Sequence, residues 1–220
     1  MPVRAILLDL DGTLLDDRAA TAAGFRAIFG AYAESIPHSD EAAALVRWRE
    51  LVDEYWPRFE SGELSFDEQR RQRVQALVGR QLSDADTDHA VRLYVAAYEA
   101  CWRPLPGVVA FLERARHLPK VIVTNGERKS QLRKIAALGI AEHIAGLVTP
   151  GDCGHWKPSP EIFRAAFELL SVSASECLMI GDDPVRDIEP AARLGMRSVH
   201  VPPDESLDAF ARAAAEHLEP

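Results

Sequence analysis

Val3-Arg4-Ala5-Ile6-Leu7-Leu8-Asp9-Leu10-Asp11-Gly12-Thr13 begins as a short β-rich run and stops abruptly on two acids and a glycine. A run without polar alternation suits a strand buried on both faces, as in a parallel sheet. Asp9 and Asp11 then fall at the strand's carboxyl end, where open α/β sheets place their ligands, and Gly12 permits a sharp exit of the backbone. Two carboxylates at one sheet edge can divide labour. One attacks an electrophile, while the other protonates a leaving group and later activates water. The same residues would also suit a plain turn with two solvated acids, so the decision rests on the rest of the chain.

Three further β-rich runs lie far downstream, at Lys120 to Thr124, Cys177 to Ile180 and Arg197 to Val201, with a weaker one at Ala145 to Thr149. Helical signals separate the later runs, and that alternation implies an α/β fold: a Rossmann-like parallel sheet with helices on both faces. In Glu127 to Leu138, an apolar stripe of Leu132, Ile135, Ala136 and Leu138 predicts the buried helix face, with Gly139 as its C-terminal cap. Between the first run and Pro104 the alternation disappears. Leu45, Trp48, Val52, Tyr55, Trp56 and Phe59 recur at helical spacing, Ser65 with Glu68 forms a capping-box pattern, and Ser83 or Asp84 opens another helix through Ala97. The expectation is a core of residues 1–16 and 104–220 interrupted by an all-α cap at 17–103. Asp16-Asp17 and Arg103-Pro104-Leu105-Pro106-Gly107 would form the two-strand hinge.

The 220 residues, 47 % of them hydrophobic, are enough to bury a core. A formal net charge of -9 disfavours a broad electrostatic grip on nucleic acid or an anionic membrane. Cys101, Cys153 and Cys177 are odd in number and lack a C-x-x-C pair, which argues against zinc and against a disulfide framework. The apolar stretch before Asp9 is too short for a signal segment, and no later run approaches a membrane span. The expectation is a soluble cytoplasmic protein, monomer or homodimer, with no nucleic-acid or membrane partner.

The downstream strand ends carry their own chemistry. Thr124-Asn125-Gly126 precedes a helix, so a hydroxyl and backbone N–H groups can meet an anion there. Lys157-Pro158-Ser159-Pro160 sets a cation just before a helix, with Ser159 suited as N-cap and Pro160 as the first helical residue. Gly181-Asp182-Asp183-Pro184-Val185-Arg186-Asp187 supplies hard oxygen ligands, which Mg²⁺ prefers. Asp183 before Pro184 also fits a helix cap.

Taken in order, these four motifs resemble the haloacid dehalogenase superfamily, in the phosphatase branch with a helical cap after the first strand. Asp9-Leu10-Asp11-Gly12-Thr13 resembles motif one, Thr124 motif two, Lys157 motif three, and Asp182 with Asp187 motif four. The resemblance implies a Mg²⁺-dependent phosphohydrolase acting on a small phosphorylated metabolite. Asp9 would be the nucleophile and Asp11 the acid/base. Asp9, Asp182 and the Asp11 carbonyl would hold the metal. Thr124 and the Asn125 amide would bind phosphoryl oxygens, Lys157 would neutralise charge, and Asp187, with Gly12 and Thr13, would support the site. The dehalogenases attack carbon without a metal and have no acid at the position of Asp11. A sugar phosphomutase would use the same core, but Asp16-Asp17-Arg18-Ala19-Ala20 lacks the histidine-bearing segment of those enzymes. A binding module that lost turnover would keep the fold without need of the intact motifs.

The leaving group is expected to meet the cap, with Trp48, Trp56, Arg58, Phe59, Arg70, Arg71, Arg73 and Trp102 as the residues to inspect. At their spacing most would be structural, and Arg70-Arg71 with Arg73 reads as a solvated face. Phe59 to Glu68 and the arginines after it resemble the branch containing nucleotidases and the acylneuraminate phosphatase. His155 reads as a loop residue, having no second ligand at metal spacing, and Cys153 as a small packed or loop residue, having no evident base.

Overall fold

A computed structural model describes residues 2–37 and 40–218. The chain divides into two compact units, one of Met1–Asp17 with Trp102–Pro220 and one of Arg18–Cys101.

The first unit is built on five parallel strands, β1 (Ala5–Leu8), β2 (Lys120–Val123), β3 (Gly146–Val148), β4 (Cys177–Gly181) and β5 (Arg197–His200), in the order β3-β2-β1-β4-β5. The β1 strand is central, and all four of its residues are fully buried. Its alternate side chains feed two cores. Ile6 and Leu8 pack with Ile122, Leu178, Ile180 and Phe210 on one face, while Ala5 and Leu7 pack with Val121, Val123, Met179 and Phe163 on the other. Both faces are therefore dry, each large buried side chain contributing about 1.5–3 kcal/mol. The helices of this unit are α5 (Val108–Arg114), α6 (Arg128–Ala137), α7 (Pro150–Cys153), α8 (Pro160–Leu170), α9 (Glu189–Arg193) and α10 (Ser206–His217). The α/β sheet with helices on both faces agrees with the expectation, including the weak strand at β3.

The α6 helix departs from its expected phase. Leu132 is 49 % exposed and Ala136 is also exposed, whereas Gln131, Lys134, Ile135 and Leu138 face inward. The apolar stripe missed this face because two of its four positions are polar. Gly139, at φ +67°, does stand just beyond the helix end. Ser159 holds the N-cap position of α8, but its hydroxyl bonds Glu161 and does not cap the backbone. Where the chain leaves the sheet, Leu15 bridges Pro104 in antiparallel fashion and Arg103 pairs with Asp16 at 2.9 Å.

The second unit is helical, from Arg18 in α1 (Asp17–Tyr32) through α2 (Glu41–Glu60), α3 (Phe66–Val78) and α4 (Asp84–Ala100). Asp40 caps α2, Ser65 and Glu68 form the expected capping box at α3, and Ser83 caps α4. Its centre is aromatic: Trp48 lies 5.0 Å from Tyr94, which stacks on Tyr98 at 5.7 Å. No helix among the described residues is long and apolar enough to cross a membrane.

Candidate active site

The carboxyl ends of β1, β2 and β4, with the loop before α8, bring the motif residues together. Lys157 donates from Nζ to Asp9 Oδ1 at 2.6 Å and to Asp187 Oδ1 at 2.7 Å, and all three side chains are buried. Asp9 belongs to the turn after β1, and its N–H continues the ladder by donating to Ile180 of β4. Asp187 sits in a π-turn (Pro184–Ile188) that Asp183 caps, accepting from the N–H groups of Val185 and Arg186. This is the helix-cap arrangement expected of Asp183 before Pro184.

Thr13 Oγ1 lies 3.1 Å from Asp9 Oδ2 and 3.2 Å from Asp182 Oδ1, so its single hydrogen is shared between two acceptors. Gly12 has φ +89°, a region open to glycine, and any β-carbon there would run into the Asp182 carboxylate. The turn thus packs the β1 and β4 ends against each other.

Ligand atoms of Asp9, Asp182 and Asp187 lie within 4.8 Å of one another. Burial pushes the Asp9 carboxyl well above the usual carboxylate range, against the pull of Lys157. Burial, then the Asp187 charge, raises Asp182 to about 6. Lys157 is driven upward as well, because the Asp187 and Asp9 carboxylates together outweigh its desolvation. When all three acids are ionised, one ammonium leaves two negative charges uncompensated. A divalent ion of hard character fits both that charge and the all-oxygen donor set. The Asp11 side chain stands outside this cluster, so its expected share in a metal site would fall to its backbone carbonyl.

Asp11 is instead held from α6. Gln131 Nε2 donates to Asp11 Oδ2 at 2.7 Å and Lys134 Nζ to Asp11 Oδ1 at 2.6 Å. The same Gln131 nitrogen reaches Thr124 Oγ1 at 3.1 Å, and that oxygen also accepts from Gly126 N–H. Sequence reasoning missed both residues, because polar side chains beside an apolar stripe read as the outer face of a helix. Asn125 has a further role that the sequence did not suggest. Its side-chain amide is engaged twice by the Lys157 backbone, donating to the carbonyl at 2.9 Å and accepting from the N–H at 2.7 Å. It therefore anchors the lysine loop to the end of β2.

The other candidates have local partners within their own units. Trp102 belongs to the sheet unit, with the Arg133 guanidinium 5.7 Å from its ring. Arg58 pairs with Glu63, Arg71 with Asp84 and Asp88, and Arg70 lies 4.1 Å over Phe66. Arg73 is 5 % exposed, with the Trp48 ring 4.8 Å away, so this residue corrects the reading of a solvated arginine face. Cys153 is the last residue of α7 and packs against one of the two sheet cores, its thiol within reach of the Thr149 and His155 carbonyls, which fits a small packed residue.

Residues 3–195 match the model of the haloacid dehalogenase-like hydrolases. The chain belongs to that family and is an enzyme, a hydrolase. It is 30 % identical to the phosphoserine phosphatase of Thermus thermophilus over 90 % of this chain and 88 % of that protein. The crystal structure of the putative HAD-hydrolase YfnB from Bacillus subtilis, bound to magnesium, superposes with a TM-score of 0.77 at 26 % identity, over 94 % of this chain and 92 % of that one. L-2-haloacid dehalogenase from Xanthobacter autotrophicus, at 19 % identity and TM-score 0.70 over 99 % of this chain and 85 % of that one, shares the fold.

Proposed function

We propose that this hydrolase removes phosphate from small phosphomonoesters, with Asp9 as nucleophile and Mg²⁺ as its metal. The observation that carries the reading is the buried Asp9–Lys157–Asp187 arrangement, with a second acid, Asp11, two residues after the nucleophile. The magnesium-bound YfnB structure and the phosphatase relative support it.

In the first step an Asp9 carboxylate oxygen attacks phosphorus. The bond to the leaving oxygen breaks, its electron pair stays on that oxygen, and Asp11 supplies the proton. In the second, a water oxygen attacks the aspartyl phosphate, its proton passes to Asp11, and the Asp9–phosphorus bond breaks to restore the carboxylate. Lys157 lowers the repulsion between Asp9 and an anionic substrate, and Asp187 holds that ammonium in place. The Thr124 hydroxyl, at the entrance to α6, would meet phosphoryl oxygens. Asp9, Asp182 and the Asp11 carbonyl would hold Mg²⁺, with Asp187 beside them; when bound, the metal would neutralise phosphoryl charge.

The test is phosphate release from a phosphomonoester panel with and without Mg²⁺, with Asp9→Asn as control. Release that needs Mg²⁺ and Asp9 is expected. No release from any member would favour a binding module, and halide release from a 2-haloacid without metal would favour a dehalogenase.

A further inference from the structure

We propose that Gln131 and Lys134 are positioning residues that fix the carboxylate of Asp11 for its acid/base role, an inference that rests on the phosphatase reading above. They lie three residues apart on the inner face of α6, and each takes a different oxygen of Asp11. Two donors on two oxygens set the plane of the carboxylate as well as its direction. An aspartate on a glycine turn would otherwise sample several rotamers.

Three observations separate this arrangement from incidental packing. Lys134 has a side chain only 7 % exposed, and lysine is almost never buried unless paired. Gln131 is 1 % exposed, and its Oε1 is buried with no hydrogen-bond partner among the described residues. Leaving an acceptor orphaned costs free energy, which is the mark of an amide placed for its nitrogen. Finally, a β-carbon at Gly126 would collide with the Gln131 amide, so the turn after β2 is shaped to admit it. Through that one nitrogen, Asp11 and Thr124 are also kept at a fixed separation.

The leaving group supplies the test. Nitrophenolate departs without a proton, whereas a glycerol alkoxide needs one, so kcat/KM for p-nitrophenyl phosphate and glycerol 3-phosphate should respond differently. For Lys134→Met and Gln131→Leu, glycerol 3-phosphate should lose about 10- to 100-fold and p-nitrophenyl phosphate no more than about threefold, the loss falling on kcat. Lys134→Arg, which keeps the cation, should recover most of the loss, and melting temperatures identify variants that fail to fold. Equal losses on both substrates, a loss confined to KM, or no rescue by arginine would overturn the inference while leaving the phosphatase reading intact. A wild-type enzyme that releases phosphate from neither substrate would remove both.

Discussion

The sheet unit and the helical unit handle buried polarity differently. At the strand ends, Lys157 and Lys134 meet carboxylates at 2.6 to 2.7 Å. In the helical unit Arg73 lies against the Trp48 and Tyr94 rings at 4.8 and 5.9 Å, and the buried Trp48 Nε1 has no hydrogen-bond partner among the described residues. Charge-assisted hydrogen bonds are short and directional and hold atoms in one geometry. Aromatic and cation–π packing tolerates a range of distances. The first arrangement suits a site that must hold atoms in one geometry, and the second suits the filling of a buried core.

The sharpest way to break this contrast is at the strand ends. Asp9→Asn should lower turnover by about 10⁴-fold while leaving the circular dichroism spectrum unchanged. Retained turnover would exclude Asp9 as nucleophile. Lys157→Met leaves Asp9 and Asp187 buried without their cation, and a loss of about 3–5 kcal/mol is expected in urea unfolding. Removing divalent metal with a chelator should abolish activity, and returning Mg²⁺ to a hundred times its dissociation constant should stabilise the fold by about 2.7 kcal/mol, seen as a rise in melting temperature. In the helical unit, Trp48→Phe gives up an indole N–H that has no hydrogen-bond partner among the described residues and should cost less than about 1.5 kcal/mol in the same unfolding assay. A cost matching that of Lys157→Met would erase the distinction. The smallest effect concerns β4, where burial pushes the Cys177 thiol up to about 12. At pH 8 its thiolate is scarce, so iodoacetamide should label the half-buried Cys101 and Cys153 first, and mass spectrometry should find Cys177 modified only after unfolding.

What the sequence made legible follows the same division. Strands buried on both faces announce themselves as apolar runs, and the acids at their ends are placed by topology, so β1, β2, β4 and the Asp9, Lys157, Asp182 and Asp187 neighbourhood could be read directly. The α6 helix could not. Hydrophobic periodicity treats Gln131 and Lys134 as outward-facing, yet the charge that draws them inward, Asp11, lies more than a hundred residues earlier. Arg73 was misread for a related reason, since the rings beside it come from α2 and α4. Asn125 was legible as a site residue but not as the anchor of Lys157, because its partner is backbone, which no side-chain pattern records.

The contact between Lys157 and Asp9 spans 148 positions of the chain. At about 5–20 residues per second, a ribosome that has just added Asp9 needs about 7 to 30 seconds more to add Lys157. For that interval the acid exists without the cation that it meets in the fold, and Asp187 is later still. If Asp9 is the nucleophile, a nascent or truncated chain that ends before Lys157 lacks the cation beside it, and one that ends just before Asp187 has four of the five strands yet lacks the second acid on that ammonium.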